Sequence, residues 1–215
     1  MCMDEIIPLH RISNSLGTEL RIEQFGLKDI ASVIELDPRT VHSASLRIWD
    51  RIVNHSGLGV DPFQIAAYVD AQDPWVFKKI TEIVGEPSIR SFYYLRAWVT
   101  DDSLDYSQVV QFAAADVFPN DLLLIDLLIS NPYKPIPKPE RKFFQQDYEG
   151  FGLLQEVFDN AKECAKIMGC EAITLVAASD TIVPVFEKYG FVVDDSPTGR
   201  SYKKFRSGAP MHLNV

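Results

Sequence analysis

The sequence predicts an α/β fold in which a mixed, mostly antiparallel central sheet is flanked by helices. Three observations carry this expectation. Residues 91–100 and 107–118 are rich in aromatic and β-branched side chains, with Asp101-Asp102-Ser103 as turn material between them. Residues 122–130 are apolar on both alternating faces apart from Asp126, as in a strand covered on both sides. The third observation is the order of signals after that strand: a loop, then Gly150-Phe151-Gly152, a helix-periodic run over 151–168 stopped by Gly169, and a strand-like run over 171–177. A strand–helix–strand passage of this kind is a crossover, so strands 122–130 and 171–177 are expected to be parallel and to separate at one end.

Residues 1–17, around Pro8 and Gly17, read as an irregular lead-in. Glu19–Phe25 alternates as a half-buried strand, and Leu27, Ile30, Val33, Ile34 and Leu36 recur at helical spacing until Asp37-Pro38. Thr40 can cap a second helix, whose apolar positions Val41, Ala44, Ile48, Trp49, Ile52 and Val53 run toward Gly57. The pairs Asp61-Pro62 and Asp73-Pro74 each set a capping carboxylate before a first-turn proline and predict helices over 63–71 and 75–84, although 64–69 also fits a short strand. Pro119-Asn120-Asp121 turns the chain into strand 122–130. Residues 133–149, with Pro135, Pro137, Lys138 and Pro139 at their front, make a long surface loop. A short helix over 179–189 ends at Gly190, and a strand over 191–194 comes after it. Residues 192–195 and 201–205 can pair as a closing hairpin across Ser196-Pro197-Thr198-Gly199, and the tail 206–215 shows no periodicity and is expected to be mobile or to pack late.

At 215 residues and 47% hydrophobic, the chain can bury one sizeable core and is expected to be a single domain over 1–215. Its net charge of −9 argues against nucleic acid as a partner and favours basic or neutral ones. Cys2, Cys164 and Cys170 form no C-x-x-C pair and the four histidines are scattered, so neither a disulfide framework nor a metal site is expected. Cys164 and Cys170 read as core or near-core thiols, and Trp49, Trp75 and Trp98 as core anchors. The acidic start Met1–Glu5 is unlike a secretory signal, and no apolar run approaches the roughly 20 residues that span a bilayer. The expected setting is the cytoplasm, without membrane contact.

Strand, glycine turn and helix N-terminus in sequence place unpaired backbone N–H groups at the positive end of a helix dipole, which favours a phosphate. The alternative is that Gly150 and Gly152 only let a strand turn into a helix. Asp126 is the other chemical candidate. A carboxylate inside a buried strand is costly unless paired or neutral, so it is either a general base or an ion-pair partner of Arg90 or Arg96.

The stretch from Gly150 to Phe191, and most of all Phe186-Glu187-Lys188-Tyr189-Gly190-Phe191, resembles the C-terminal half of the GNAT acyltransferase superfamily. The resemblance covers about Leu122–Phe205 and implies an acetyl-coenzyme A-dependent transfer to a primary amine of a small molecule or protein. It implies that Gly150, Phe151, Gly152 and Leu153 hold the pyrophosphate, that the strand end from Leu128 to Ser130 pairs with the pantetheine arm, and that Asp126 takes a proton from the amine. It also makes helices within 58–88 an addition. Three positions depart from the family: Asp147 stands where Arg or Gln is usual three residues before Gly150, with Gln146 one residue out of register; Phe186 replaces the usual tyrosine acid, a role Tyr189 does not take over because it occupies a packing position; and Ser179 replaces an Asn. Lys134, Lys138, Arg141 and Lys142 can meet the phosphates or remain solvated. A second reading is a GNAT-fold binding protein without catalysis, such as an immunity protein holding a basic toxin.

Overall fold

The computed structural model describes residues 2–142, 147–205 and 207–215. Its strands are β1 (Leu20–Gly26), β2 (Ile89–Val99), β3 (Gln108–Val117), β4 (Asp121–Ile129), β5 (Ala172–Ser179), β6 (Val192–Val193) and β7 (Ser207–Asn214). They form one sheet in the order β1-β2-β3-β4-β5-β7-β6. Neighbours from β1 to β4 are antiparallel, β4 and β5 are parallel, and β7 pairs antiparallel with both β5 and β6. The expected mixed, mostly antiparallel sheet is therefore present, with its parallel pair where the crossover requires it.

The helices are α1 (Leu9–Leu16), α2 (Ile30–Leu36), α3 (Pro38–His55), α4 (Ala66–Asp70), α5 (Val76–Val84), α6 (Leu154–Met168), α7 (Val183–Glu187) and α8 (Pro197–Phe205). Two apolar clusters lie on opposite faces of the sheet. One joins Ile12, Val157, Phe158 and Ala161 of α1 and α6 to Phe112, Leu122 and Leu124. The other joins Val41, Ile48, Ile52 and Ile80 of α3 and α5 to Tyr94, Ala113 and Leu123. Strand β4 feeds both by alternation, which is why its sequence is apolar on either face. Cys170 is a buried free thiol, pushed up to about 11 by burial.

Several local expectations are corrected. Residues 2–16 are ordered, with a 3-10 turn at Cys2–Glu5 and then α1, and they bury Met3, Ile6 and Ile12 beside α6. A disulfide joins Cys2 to Cys164 of α6, across a Cα–Cα distance of 5.2 Å. Helix α3 is capped by Asp37 instead of Thr40: its carboxylate accepts the Thr40 hydroxyl at 2.6 Å and the Thr40 N–H at 3.4 Å, with Pro38 in the first turn. Residues 197–205 are helical, so the closing hairpin does not form. The tail instead runs as β7 between β5 and β6. Trp98 is not a core anchor, since it lies half-buried between the guanidinium groups of Arg21 and Arg96, at 4.8 and 4.6 Å from its ring centroid.

Helix α3 is tied to the sheet by buried ions. Arg47 donates to Asp194 at 2.7 Å and to Asp50 at 2.8 Å, Arg51 donates to Asp121 at 2.6 and 3.2 Å, and His212 Nδ1 lies 2.6 Å from Asp194. Burial pushes the Asp194 carboxyl up, but the hydrogen bond from His212 and the Arg47 guanidinium outweigh it and hold the group at about 2. Its folded pKa is thus below the unfolded one, and its contribution to stability is complete above about pH 4. That contribution is lost as pH falls toward about 2. Asp194→Asn leaves Arg47 with less compensation and should cost about 3 kcal/mol by denaturant titration at neutral pH, with a shallower loss of stability in acid.

Candidate functional site

The ladder between β4 and β5 runs from Asp121↔Ala172 to Leu124↔Leu175 and stops. At the next residue β4 bulges: Leu124 faces Ala114 and Asp126 faces Ala113, which leaves Ile125 without a partner on β3. Beyond this point β4 stays with β3, β5 continues along β7, and the two parallel strands part.

Two cavities occupy the parting, and a larger cleft lies beside it. The first, of about 190 Å³, lies between Leu124–Leu127 and Leu175, Val176 and Ala178, with Ile182 and Phe186 beside it. The second, of about 220 Å³, runs past Leu127 and Ile129 to Gly150–Leu154. A third cleft, of about 700 Å³, opens on the other side of β4, between Asp126–Ser130, Gln111 and Tyr106 and the residues Pro135, Arg141, Asp147 and Tyr148. Leu127 lines all three.

Helix α6 begins at Leu154 without a side-chain cap. Among the described residues, the N–H groups of Gly150, Phe151, Gly152, Leu153 and Leu154 donate to nothing. Gly152 has φ +70°, which a residue with a Cβ rarely adopts. The turn therefore presents the orphan donors of a fifteen-residue helix to the second cavity.

The described residues of 131–142 and 147–149 lie side by side as an irregular ribbon: Asn131 N–H donates to Glu149 O, Ile136 N–H to Asp147 O and Glu149 N–H to Lys134 O. Tyr148 stacks on Tyr106 at 5.5 Å, and the Tyr133 hydroxyl donates to Asp101 at 3.0 Å, which docks the ribbon on the β2–β3 turn. Asp147 is ion-paired with Arg141, and both line the large cleft. Lys134 pairs with Glu149 at 3.4 Å, Lys138 opens a 3-10 turn, and Gln146 lies outside the described residues.

Asp126 pairs with neither candidate arginine. Arg90 holds Asp116, and Arg96 lies over Trp98. The Asp126 carboxylate accepts Gln111 Nε2 at 2.6 Å, and the same nitrogen lies 3.4 Å from Asp37. Gln108 Nε2 donates to Gln111 Oε1 at 3.0 Å, which turns the Gln111 amide nitrogen toward the two carboxylates. Burial pushes the Asp126 pKa up, the Gln111 hydrogen bond opposes this, and the nearby Asp37 charge adds to the rise. A carboxylate biased toward protonation in a cleft suits proton transfer. Sequence reasoning missed Asp37, Gln108 and Gln111, because only the β3–β4 register and the α2–α3 corner bring them to Asp126.

Phe186 faces the first two cavities and packs on Phe158 and Phe191 at 6.0 Å from each. Tyr189 packs on Phe158 at 4.9 Å, the packing place expected of it. The Ser179 hydroxyl lies 2.8 Å from that of Thr181. Ser130 N–H donates to Val109 O at 2.9 Å, so strand alternation directs the Leu128 backbone toward β3 and leaves the Ile129 N–H and the Leu127 C=O on the open side. The Leu128 side chain lines the large cleft.

Gln111→Leu removes the one side-chain hydrogen bond that lowers the Asp126 pKa and should move its titration further upward. Carboxyl carbon NMR titration of the variant against the wild type measures this directly.

No protein-family model matches the sequence, and no curated protein matches it. Solved structures do. An acetyltransferase from Bacillus subtilis in complex with CoA is 11% identical and aligns over 92% of this chain and 99% of its own, with a TM-score of 0.39. IAA acetyltransferase from Bacillus cereus is 11% identical over 92% and 100% of the two chains, with a TM-score of 0.39. Ard1 from Thermoplasma volcanium is 12% identical over 91% and 97%, with a TM-score of 0.36. At such identities and TM-scores the likeness assigns neither a residue nor a reaction to this chain. The mixed sheet, with one parallel pair among the described residues and a crossover helix between those two strands, is the layout the sequence predicts.

Proposed function

We propose that the protein is an acetyl-coenzyme A-dependent N-acetyltransferase acting on a primary amine. The observation that carries this reading is the parting of β4 from β5 at Ile125, with the uncapped N-terminus of α6 at its end. The residues fit the group. Gly150, Phe151, Gly152 and Leu153 offer free N–H groups to a pyrophosphate, and Leu127, Ile182, Val185 and Phe186 form an apolar slot suited to the pantetheine arm. The arm's amide partners are the Ile129 N–H and the Leu127 C=O, while Leu128 and Ser130 serve as cleft wall. The carboxylate of Asp147 would repel a phosphate, but its ion pair with Arg141 offsets that charge.

Bound acetyl-coenzyme A supplies an activated thioester. The chain's part is to place an amine beside Leu127, where the large cleft meets the slot, and to receive its proton. Asp126 is the group in reach, held by Gln111 and biased toward protonation. Phe186 has no proton to give, so the leaving thiolate would take one from solvent or by way of Asp126.

Asp126→Asn should keep the fold and coenzyme affinity and lower acetyl transfer by about a hundredfold or more, measured as release of free coenzyme A with an amine acceptor. A fall in melting temperature with unchanged activity per folded molecule would make Asp126 structural instead. Gly152→Val should weaken coenzyme binding by about 1–2 kcal/mol, measured by calorimetry, because it obstructs the approach to the turn. Unchanged affinity in this variant would contradict the placement of the pyrophosphate.

A further inference from the structure

Past Gln111, on the edge of the large cleft, the sheet runs on through β2 and β1. The register places Arg96 between Gln111 and Glu23, and Trp98 between Gln108 and Arg21. By alternation these side chains stand on the same face of the sheet as Asp126. Arg21 is committed to Glu23, at 3.3 Å. Arg96 has no ion pair among the described residues, and its Nε is shut off from solvent without a hydrogen-bond partner. Its charge nevertheless acts on the hydroxyl of Tyr106, which lines the cleft.

A half-buried guanidinium with no acceptor loses hydration and regains only its attraction to the Trp98 ring. Such an arrangement costs stability unless something else supplies the acceptor. The contrast within this acidic chain is clear: Arg47, Arg51, Arg90 and Arg141 each hold a carboxylate. Arg96 is placed beside the cleft and has none among the described residues.

We propose that Arg96, supported by Trp98, is a carboxylate subsite of this cleft, and that the acceptor is a zwitterion whose amine meets Asp126 while its carboxylate meets Arg96. The inference rests on the cleft's being the acceptor site. Two strand spacings and a two-residue offset put the Cα atoms of residues 96 and 126 on the order of 12 Å apart. An α-amino group and its own carboxylate are too close together to reach both ends. An amine separated from the acid by several methylenes fits, with a hydrogen bond of about 2.9 Å at each end. A guanidinium also matches a carboxylate in two-point geometry, which an ammonium would not.

The test compares 6-aminohexanoate with hexylamine, which has the same length but no carboxylate, by calorimetry on the full chain. Wild-type protein should bind 6-aminohexanoate at least about tenfold more tightly. Arg96→Met should abolish the difference, leave hexylamine binding unchanged and melt no lower than wild type. Equal binding of the two probes by wild type, or binding of neither, overturns the inference without reference to any variant, and discrimination that survives Arg96→Met overturns it as well. These readouts need neither coenzyme nor turnover. A protein that binds coenzyme A without preferring the zwitterion loses only the carboxylate subsite, whereas one that prefers the zwitterion without binding coenzyme A loses the transferase reading and keeps the subsite.

Discussion

The site depends on where the parallel ladder between β4 and β5 stops. Four paired positions hold the strands together, and the unpaired Ile125 ends the pairing. Had β4 stayed regular, alternation would turn the backbones of Asp126 and Leu128 toward β5 and the Asp126 side chain to the opposite face of the sheet. The bulge instead leaves the Leu127 and Ile129 backbone groups on the open side and places Asp126 on the face of the large cleft. The fold tolerates the gap because the strands are secured elsewhere: β3 holds β4, β7 holds β5, and the apolar clusters on both faces continue past the parting.

Electrostatics divides the molecule by function. On the α3 side, Arg47 holds Asp194 and Arg51 holds Asp121, and these pairs fix a helix on a sheet. Around the cleft the groups are left less complete. The first N–H groups of α6 lack acceptors, Asp126 shares an amide donor with Asp37, and Arg96 has no counter-ion among the described residues. Unsatisfied polar groups cost stability wherever they occur, and those beside the cavities are placed for a ligand to complete them. The Arg141–Asp147 pair shows how a departure at one motif position is offset by the ribbon that contains it.

The central architecture was legible in the sequence, since alternation, crossover length and terminal glycines are local signals. The run 122–129 could be read as a central strand because both of its faces are apolar, and α6 because its stripe ends at Gly169. What failed was whatever depends on distant chain. Ser207–Asn214 contains Gly208 and Pro210 and shows no strand pattern, and it becomes a strand only because β5 and β6 leave a gap that it fills. Eight residues of α1 carry too short a pattern to stand out, and the partner of Cys2 is 162 positions away. The same limit applied at the site. The glycine turn and Asp126 were visible, whereas Gln111, Asp37 and the setting of Arg96 required strand register.

The central claim is that the opening between β4 and β5 and the uncapped start of α6 together receive coenzyme A. Amide hydrogen exchange of the wild-type protein with and without acetyl-coenzyme A tests both halves at once. The account predicts slowed exchange at Gly150–Leu154 and at Ile129, with little change in β1, β2 or α3. Unaltered exchange at both places under saturating acetyl-coenzyme A, or protection confined to a different part of the surface, would contradict it.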